Sequence, residues 1–404
     1  MDGALLESLF RAYFDVRKNK RNTVNQIRYE LDFERNLFDL CYEIESRIYT
    51  PSRSICFMLE ELGIKREIFG ANFKDRIVHR LIYDQIAPLF ERRFIPDSYS
   101  CRKNKGSHYA IKRLEHHIRS CSANYTRQCW ILKLDIQGYF FSIDRNLLYR
   151  MISTVLSERW CEYCARQSVQ YHMLDLDTVL FLIDRVIHCD ATKNCIIRGT
   201  KEKWDNFPAT KSLFHADPGC GLPIGNLTSQ LFSNIYLDCF DQYVKRTLQI
   251  RHYGRYVDDF FIVHEDPDYL HRLIPVLRVF LQDRLHLTLH PKKIYLQSAE
   301  RGVLFVGGFL KPWRNYPGHR VVARCSSMLA RQQSNSALSP VKLRDSLNSY
   351  LGTIRQFRSC RIRRRIICHH NWIFQYGWMK VDFSKYRLCR QFVNSCFSSG
   401  TIPQ

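Results

Sequence analysis

The sequence predicts an α+β fold, in which an antiparallel sheet packs against helices. Two apolar, aromatic-rich runs within residues 252–263 flank Asp258 and Asp259. They indicate a strand hairpin with both acids in its turn, because Asp is common in turns and depleted in strand interiors. Residues 130–136 form a third apolar run, typical of a buried strand. Apolar residues also recur at helical spacing between residues 73 and 90, which adds an amphipathic helix.

The other elements follow from similar patterns along the chain. Residues 1–65 carry mixed helical patterns, and Pro96 and Asp97 end the helix that begins at Phe73. A basic loop at 98–108 and a Gly- and Pro-punctuated loop at 219–226 separate later elements. We predict helices at 110–118, within 145–190, at 227–245, 269–285 and 325–404, and short strands at 287–290, 294–296 and 303–310.

Length and charge limit the class of protein. At 404 residues, the chain is long enough for two or three lobes. Its 61 Lys and Arg residues exceed its 39 Asp and Glu residues by 22, and the pI is about 9.5. Such an excess indicates a polyanionic partner, most simply nucleic acid. A basic protein that is merely soluble is the alternative that charge alone leaves open.

The 16 cysteines do not form paired Cys-x-x-Cys clusters. Cys161 and Cys164 have metal-like spacing but no second pair, and Cys189, Cys195 or the Cys-His-His run at 368–370 could complete a zinc site only through the fold. We therefore favour reduced thiols in a cytoplasmic protein. The N-terminus lacks signal-peptide features, and no apolar run approaches the ~18 residues of a membrane span, so no membrane partner is predicted.

Three carboxylates are candidates for chemistry. If the strand that ends near Asp135 neighbours the hairpin, Asp135 converges with Asp258 and Asp259. An Asp in so apolar a run is unfavourable unless it is paired or bound to a metal. Convergent carboxylates are what two magnesium ions need for in-line phosphoryl transfer. Taken singly, each acid could also be an ordinary turn residue.

With these motifs in this order, the chain resembles a reverse transcriptase over residues 65–355. Residues 256–259 resemble the family's Tyr-x-Asp-Asp box, and residues 133–140 resemble the strand of its first catalytic aspartate. The resemblance implies a right-hand polymerase with fingers, palm and helical thumb. Its expected parts are an N-terminal segment with fingers at 1–130, a palm at 131–320 with a fingers insertion at 145–215, and a basic thumb at 321–404.

The resemblance also implies an RNA-directed DNA polymerase that uses two Mg²⁺ ions, with Mn²⁺ as a substitute. Asp135, Asp258 and Asp259 would be catalytic, and Ile136 would join them as a metal ligand. Phe140 falls where the family has the aromatic gate against a ribose 2′-hydroxyl. The implied nucleotide-binding residues are Arg102, Lys105, Phe140, Ile224, Gly225 and Gln230.

Contacts with the RNA/DNA primer–template duplex are implied for the hairpin and for the C-terminal region. A solvated helix face is the alternative for the arginines at 355–365. The implied nucleic-acid-binding residues are Tyr256, the primer-grip residues Gly307 and Gly308, and Arg355, Arg358, Arg361, Arg363, Arg364 and Arg365.

The finer resemblance is to reverse transcriptases of diversity-generating retroelements. In the Leu-Pro-x-Gly loop most relatives carry Gln where Ile224 stands, and Pro where Gln230 stands. Arg76, His79, and residues 98–99 and 211–214 also match this subfamily. The resemblance implies that the enzyme copies a template-repeat RNA, misincorporates opposite adenines and works with a small basic accessory protein oligomer.

Two alternatives remain open at this point. One is an antiphage-defence reverse transcriptase that makes untemplated or non-coding-RNA-templated DNA. The other is a nucleic-acid-binding scaffold without catalysis, although the intact Asp135, Asp258 and Asp259 argue against it.

Overall fold

The computed structural model describes residues 3–18, 23–61, 64–166, 173–193, 195–334 and 338–394. The helices, in chain order, are α1 (Gly3–Lys18), α2 (Val24–Glu30), α3 (Phe33–Glu45), α4 (Phe73–Arg93), α5 (Ser107–Cys121), α6 (Tyr139–Ser142), α7 (Arg145–Ala165), α8 (Leu176–His188), α9 (Leu227–Gln242), α10 (Pro267–Leu285), α11 (His319–Gln333), α12 (Pro340–Ile354), α13 (Cys360–His369) and α14 (Arg390–Asn394). The strands are β1 (Ile55–Glu61), β2 (Ile64–Gly70), β3 (Trp130–Asp135), β4 (Ile196–Arg198), β5 (Tyr253–Tyr256), β6 (Asp259–His264), β7 (Tyr295–Ser298), β8 (Val303–Phe305), β9 (Gly308–Lys311), β10 (Arg314–Pro317), β11 (Gly377–Met379) and β12 (Tyr386–Leu388). The predicted α+β class is confirmed.

The sheet that carries the predicted acids has the strand order β5-β6-β3-β7 and is antiparallel throughout. The β3–β6 register places Asp135 directly opposite Asp259. Only Val257 and Asp258 lie between β5 and β6, so the prediction that both acids lie in the turn is wrong for Asp259. Asp259 begins β6 because its backbone pairs on both sides, with Asp135 and with Tyr256.

Both faces of this sheet are covered, which explains why its strands are apolar without strict alternation. Leu132 and Leu134 of β3 belong to a large core with α1, α3, α4 and α7–α10. Ile131, one residue away, points to the other face and joins a second core with α5, β8 and Phe357. Asp135 has the same parity as Ile131, so it lies on the face of the second core, at the end of the sheet.

Two hairpins depart from the predicted elements. The predicted helical pattern of residues 1–65 is wrong for Ile55–Glu61, which form β1: β1 pairs antiparallel with β2, and β4 adds to β1 in parallel. The predicted single strand at 303–310 is split into β8 and β9, because Val306 and Gly307 both adopt positive φ angles, 46° and 80°, which turn the chain. The predicted strand at 287–290 is reduced to one bridge between Leu289 and Ile136.

The C-terminal region has a core of its own. Buried residues of α11, α12, α13 and β12 pack together, separately from both cores of the sheet. The helical prediction for 325–404 is right for α11–α13, but it missed the β11–β12 hairpin, and residues 395–404 lie outside the described ranges. In the described part of the chain, no helix has both the length and the apolar character that a bilayer crossing requires.

Candidate active site

The three predicted acids lie at one end of the β5-β6-β3-β7 sheet. Asp135 ends β3 and faces Asp259 across the ladder. Asp258 occupies the turn, and its main-chain carbonyl accepts a hydrogen bond from the Ile136 amide at 3.3 Å. The turn is therefore tied to the residue that follows Asp135. Like charges directly opposite each other in a ladder are destabilising, so this arrangement needs compensation.

Two lysines supply part of that compensation. Lys133 Nζ lies 3.0 Å from Asp259 Oδ2, and Lys293 Nζ lies 2.8 Å from Asp135 Oδ1. Lys133 could have been found from the sequence, since it lies two residues before Asp135 and so on the same face of β3. Lys293 carries no such signal, because it follows β3 by more than 150 residues.

The protonation of the acids reflects their burial. Desolvation, and next the charge of Asp135, raise the pKa of Asp258 to about 7. Desolvation also raises the pKa of Asp259 to about 6, although Lys133 acts in the opposite direction. Carboxyl groups with such raised pKa values are stabilised as anions when a cation binds beside them.

The donor chemistry of these residues fits a divalent cation. Carboxylate oxygens are the ligands that Mg²⁺ prefers, and Asp259 Oδ1 is buried with no hydrogen-bond partner. Across the residues that the structure describes, no group of three or more His, Cys, Asp or Glu side chains is arranged to hold a metal ion. In this structure Asp259 and Asp135 are each paired with a lysine, Lys133 and Lys293.

The Leu-Pro-x-Gly loop is anchored between the sheet and the N-terminal elements. The carbonyl of Ile224 accepts a hydrogen bond from the Phe69 amide of β2 at 2.9 Å. Gly225 has a φ of 122°, and a Cβ there would lie only 2.8 Å from Ile68. Glycine is therefore required by both the backbone conformation and the close approach. Asn226 extends the anchor by accepting a hydrogen bond from the Ala71 amide at 3.1 Å.

Phe140 is brought to the same loop. It lies half-buried in α6, and its carbonyl accepts a hydrogen bond from the Leu222 amide at 2.7 Å. Gln230 is exposed in the first turn of α9. The structure thus joins the region of Phe140, five residues beyond Asp135, to the loop that carries Ile224.

Arg102 and Lys105 have other partners. Arg102 pairs with Glu91 at 2.8 Å and donates to the carbonyls of Ile95 and Ser98 at 2.7 and 3.0 Å. Lys105 Nζ donates to the carbonyl of Pro96 at 2.6 Å. Both cations contact the carbonyls of residues 95–98 in this structure, and their binding of a triphosphate stays a prediction. The sequence pattern of a basic loop cannot distinguish this local role from phosphate binding.

The predicted primer-grip glycines lie in the β8–β9 hairpin. Gly307 forms its turn, with its carbonyl accepting from the Gly318 amide at 2.8 Å. Gly308 packs so closely that a Cβ would lie 2.9 Å from Ile111 and 3.1 Å from Phe357. This hairpin is therefore wedged between α5 and the segment that follows α12. Tyr256, at the end of β5, is half-buried beside the same core.

The C-terminal arginines divide into two groups. Arg363 is buried and donates to the carbonyl of Asp382 at 2.9 Å and to Ser359 Oγ at 3.3 Å, so it belongs to the internal structure of this region. The other arginines lie on α13 and in the segment before it, and they are exposed. The exposed members are Arg355, Arg358, Arg361, Arg364 and Arg365.

An antiparallel sheet with acids paired at its end is the arrangement expected of a nucleotidyl-transferring polymerase, and sequence comparison identifies the family. Residues 63–310 match the family described as reverse transcriptase (RNA-dependent DNA polymerase). The match covers more than half of the chain, and this chain belongs to the reverse transcriptase family. Enzymes of the family are RNA-directed DNA polymerases and generally use divalent metal ions.

Among individual proteins, the chain is similar to Protein YkfC of Escherichia coli (strain K12). The two are 25% identical over 318 residues, which cover 70% of this chain and 71% of YkfC. Among solved structures, it is similar to apo telomerase from Candida Tropicalis, with 10% identity, a TM-score of 0.46 and 80% of this chain covered. A form of that telomerase truncated from its C-terminal domain gives 12% identity, a TM-score of 0.45 and 64% coverage. The chain spans 59% and 53% of these two telomerase chains.

Proposed function

We propose that this chain is the reverse transcriptase of a diversity-generating retroelement. It would extend a primer 3′-hydroxyl with deoxynucleoside triphosphates on a template-repeat RNA and make complementary DNA with errors opposite adenines. The observation that carries the polymerase assignment is the direct pairing of Asp135 with Asp259 across β3 and β6, with Asp258 in the adjoining turn.

Asp135 and Asp258 are the proposed main ligands of two Mg²⁺ ions, with the Ile136 carbonyl beside them and Asp259 ligating or tuning the pair. When bound, the ions supply positive charge that favours the ionised primer hydroxyl and the departing pyrophosphate. The backbone bond from Ile136 to Asp258 supports the assignment, because it fixes the turn against the end of β3. Lys133 offsets the charge of Asp259 and orients it.

The proposed nucleotide site lies along the loop of residues 222–225. Phe140 is the proposed gate under the sugar, and its backbone link to Leu222 supports this place. Ile224 and Gly225 would contact the nucleotide, with Gln230 at the start of α9. Arg102 and Lys105 remain proposed triphosphate contacts, which they would make in exchange for their present contacts with residues 91–98.

We propose the division into fingers (1–130, with 145–215), palm (131–320) and thumb (321–404). The separate core of the C-terminal region supports a thumb that packs as its own unit. Template–primer contacts are proposed for Tyr256 and for Gly307 and Gly308 of the β8–β9 hairpin. On the thumb, the proposed contacts are the exposed Arg355, Arg358, Arg361, Arg364 and Arg365.

The retroelement assignment is supported by Ile224 in the loop where most relatives carry Gln. Ile can pack against a nucleotide but cannot orient it by a hydrogen bond, and apolar contacts discriminate by only ~1–3 kcal/mol. This would permit mispairing. A small basic accessory protein is part of the proposal. The cysteines of the described residues are free thiols, which supports a reducing, cytoplasmic setting.

The test is primer extension on a defined RNA with Mg²⁺, followed by sequencing of the product. We expect templated complementary DNA whose errors concentrate opposite adenine. Templated DNA with evenly distributed errors would support the polymerase assignment but contradict the assignment to a diversity-generating retroelement. Untemplated DNA would favour a defence-type enzyme, and no DNA with intact RNA binding would favour a scaffold.

A further inference from the structure

A buried ion pair lies beneath the turn that carries Asp258. The side chains of Arg255 and Asp241 are 1% and 0% exposed. Arg255 Nη2 lies 2.6 Å from Asp241 Oδ2, and its Nε lies 2.8 Å from Asp241 Oδ1, so the contact is bidentate. Asp241 belongs to α9, and Arg255 belongs to β5. Since Arg255 is opposite Phe260 in the ladder, it points away from the face of Asp135 and Asp259.

The third nitrogen of this guanidinium reaches the turn itself. Arg255 Nη1 donates to the carbonyl of Val257 at 2.9 Å. Val257 has a φ of 57°, a left-handed conformation that is strained for a β-branched residue. Such a conformation persists only where the surroundings hold it. The bond from Arg255 is directed at the peptide that joins Val257 to Asp258.

The backbone of Arg255 is held as firmly as its side chain. Its amide donates to the carbonyl of Asp97 at 2.9 Å, and its carbonyl accepts from the amide of Tyr99 at 3.0 Å. The hydroxyl of Tyr253 donates to Asp241 Oδ1, so the carboxylate is held by a second side chain. A fully satisfied buried network of this kind is rigid. It connects α9, the 97–99 segment and the turn.

We propose that Arg255 is a positioning residue: clamped by Asp241, it holds the Val257 carbonyl and thereby fixes Asp258 and Asp259 against the end of β3. The inference rests on the proposed function only for the catalytic role of those acids. The conformational claim concerns the turn itself and stands apart from any activity.

Arg255→Lys is the test variant, because lysine keeps the charge but cannot hold Asp241 in two places and reach Val257 as well. Tyr253→Phe is the matched control: it removes one hydrogen bond to the same buried carboxylate and leaves the bond to Val257. Hydrogen exchange of the 257–259 amides, melting temperature, RNA binding and single-turnover extension are measured for both variants and the parent.

We expect the 257–259 amides of Arg255→Lys to exchange about tenfold faster or more. Its single-turnover rate should fall by roughly 10- to 100-fold, since small misplacements of reacting groups are costly. The nucleotide KM and RNA affinity should stay within about twofold, because the change acts on geometry rather than on uniform binding. Tyr253→Phe should lower the melting temperature but keep turn exchange and rate near those of the parent.

The inference is overturned if the 257–259 amides of Arg255→Lys exchange as slowly as those of the parent. It is also overturned if Tyr253→Phe, with the same loss of melting temperature as Arg255→Lys, loses as much of the single-turnover rate. Should Arg255→Lys fail to fold, the parent provides a second test. Its 306–307 turn also contains a valine at positive φ but has no arginine bonded to that valine's carbonyl in the described structure. The 257–258 amides should exchange more slowly than those at 306–307, and equal or faster exchange would reject the inference. An inactive parent with a protected 257–258 turn would reject the proposed function alone.

Discussion

At the scale of single residues, the ionisation of Asp258 is unfavourable to the fold. Asp258 is half-buried in the turn, and desolvation and next the charge of Asp135 raise its pKa. Asp135 and Asp259 each have a lysine partner. Among the described contacts Asp258 has no such direct ion pair, so a bound cation would offset its charge.

Asp258→Asn should reduce primer extension by at least ~10³-fold, because a neutral amide cannot replace a ligand that offsets metal charge. The variant should stay folded, and its RNA affinity should stay close to that of the parent. Asp268→Asn, on the exposed first turn of α10, is the matched control and should leave extension unchanged. Extension by Asp258→Asn at near-parent rate would remove Asp258 from the proposed ligand set.

The raised pKa of Asp258 also predicts how stability varies with pH in a chelating buffer. The folded-state pKa of about 7 lies above the unfolded value near ~4. The neutral carboxyl therefore stabilises the fold fully below pH ~4, and this contribution is lost as pH rises through ~7. Between pH 5 and 8 the parent should lose on the order of 1–3 kcal/mol more unfolding free energy than Asp258→Asn. Parallel pH profiles for the two proteins in denaturant titrations would contradict this assignment.

Ile224 provides a prediction about fidelity. Ile224→Gln restores a side chain that can hydrogen-bond the nucleotide, so misincorporation opposite adenine should fall more than errors opposite other bases. Ile224→Leu is the matched control, since it keeps bulk without adding a donor or acceptor, and its error spectrum should stay that of the parent. Sequencing complementary DNA from all three enzymes on one RNA measures this. An unchanged adenine error rate in Ile224→Gln would shift attention to Gln230 or to the accessory protein.

At the scale of elements, the position of β5 depends on a close approach to its neighbours. Gly254 lies opposite Phe261 in the ladder, and a Cβ there would lie 2.6 Å from Phe261 Cζ and still closer to the hydroxyl of Tyr99. The buried hydroxyl of Tyr99 is itself fixed by Asp97 at 3.0 Å. Phe261 and Tyr99 are both buried, so β5 can lie this close to them only with a glycine at position 254.

Gly254→Ala should therefore lower the unfolding free energy by about 1–3 kcal/mol or more, the usual penalty of overpacking a core. Extension should also decline, because β5 leads into the turn of Asp258. Gly352→Ala is the control: this glycine lies inside α12 with open space around it, and alanine should raise stability by ~0.5–1 kcal/mol. Denaturant unfolding of both variants measures these changes. An unfolding free energy of Gly254→Ala equal to that of the parent would contradict the packing argument.

At the scale of the whole molecule, the net charge of +22 and the exposed C-terminal arginines predict salt-sensitive RNA binding. Phosphate contacts release counterions, so affinity should fall by roughly tenfold or more for a few-fold rise in salt. Changing Arg364 and Arg365 together to Gln should reduce the slope of log affinity against log salt by about 1–2. Arg159→Gln, on an exposed position of α7, should not alter it. If the RNA affinity of the parent did not change with salt, the excess positive charge would lie away from the bound RNA.

Much of the candidate site was accessible from residue patterns. Apolar runs at 130–136 and 252–263 indicated the strands of Asp135 and Asp259. The two acids come together because these strands pair in the sheet. The charge balance indicated a polyanionic partner. The roles of the proposed nucleotide- and nucleic-acid-binding residues remain predictions, because a sequence pattern shows which residues can be buried together but not what they contact.

Tertiary structure decided the partners of the charged side chains. Arg102, Arg363 and Arg255 look alike in the sequence, yet they serve a loop, the C-terminal core and the turn beneath Asp258. Their partners are set by how elements far apart in the chain pack. By itself, the sequence determined the α+β class and the strands that carry Asp135 and Asp259, because these depend on local periodicity and burial. The convergence of the acids depended on the pairing of β3 with β6, which the folded chain supplied. Only the folded chain decided which cations neutralise those acids and which residue holds their turn, because electrostatic partners depend on distances that no local pattern encodes.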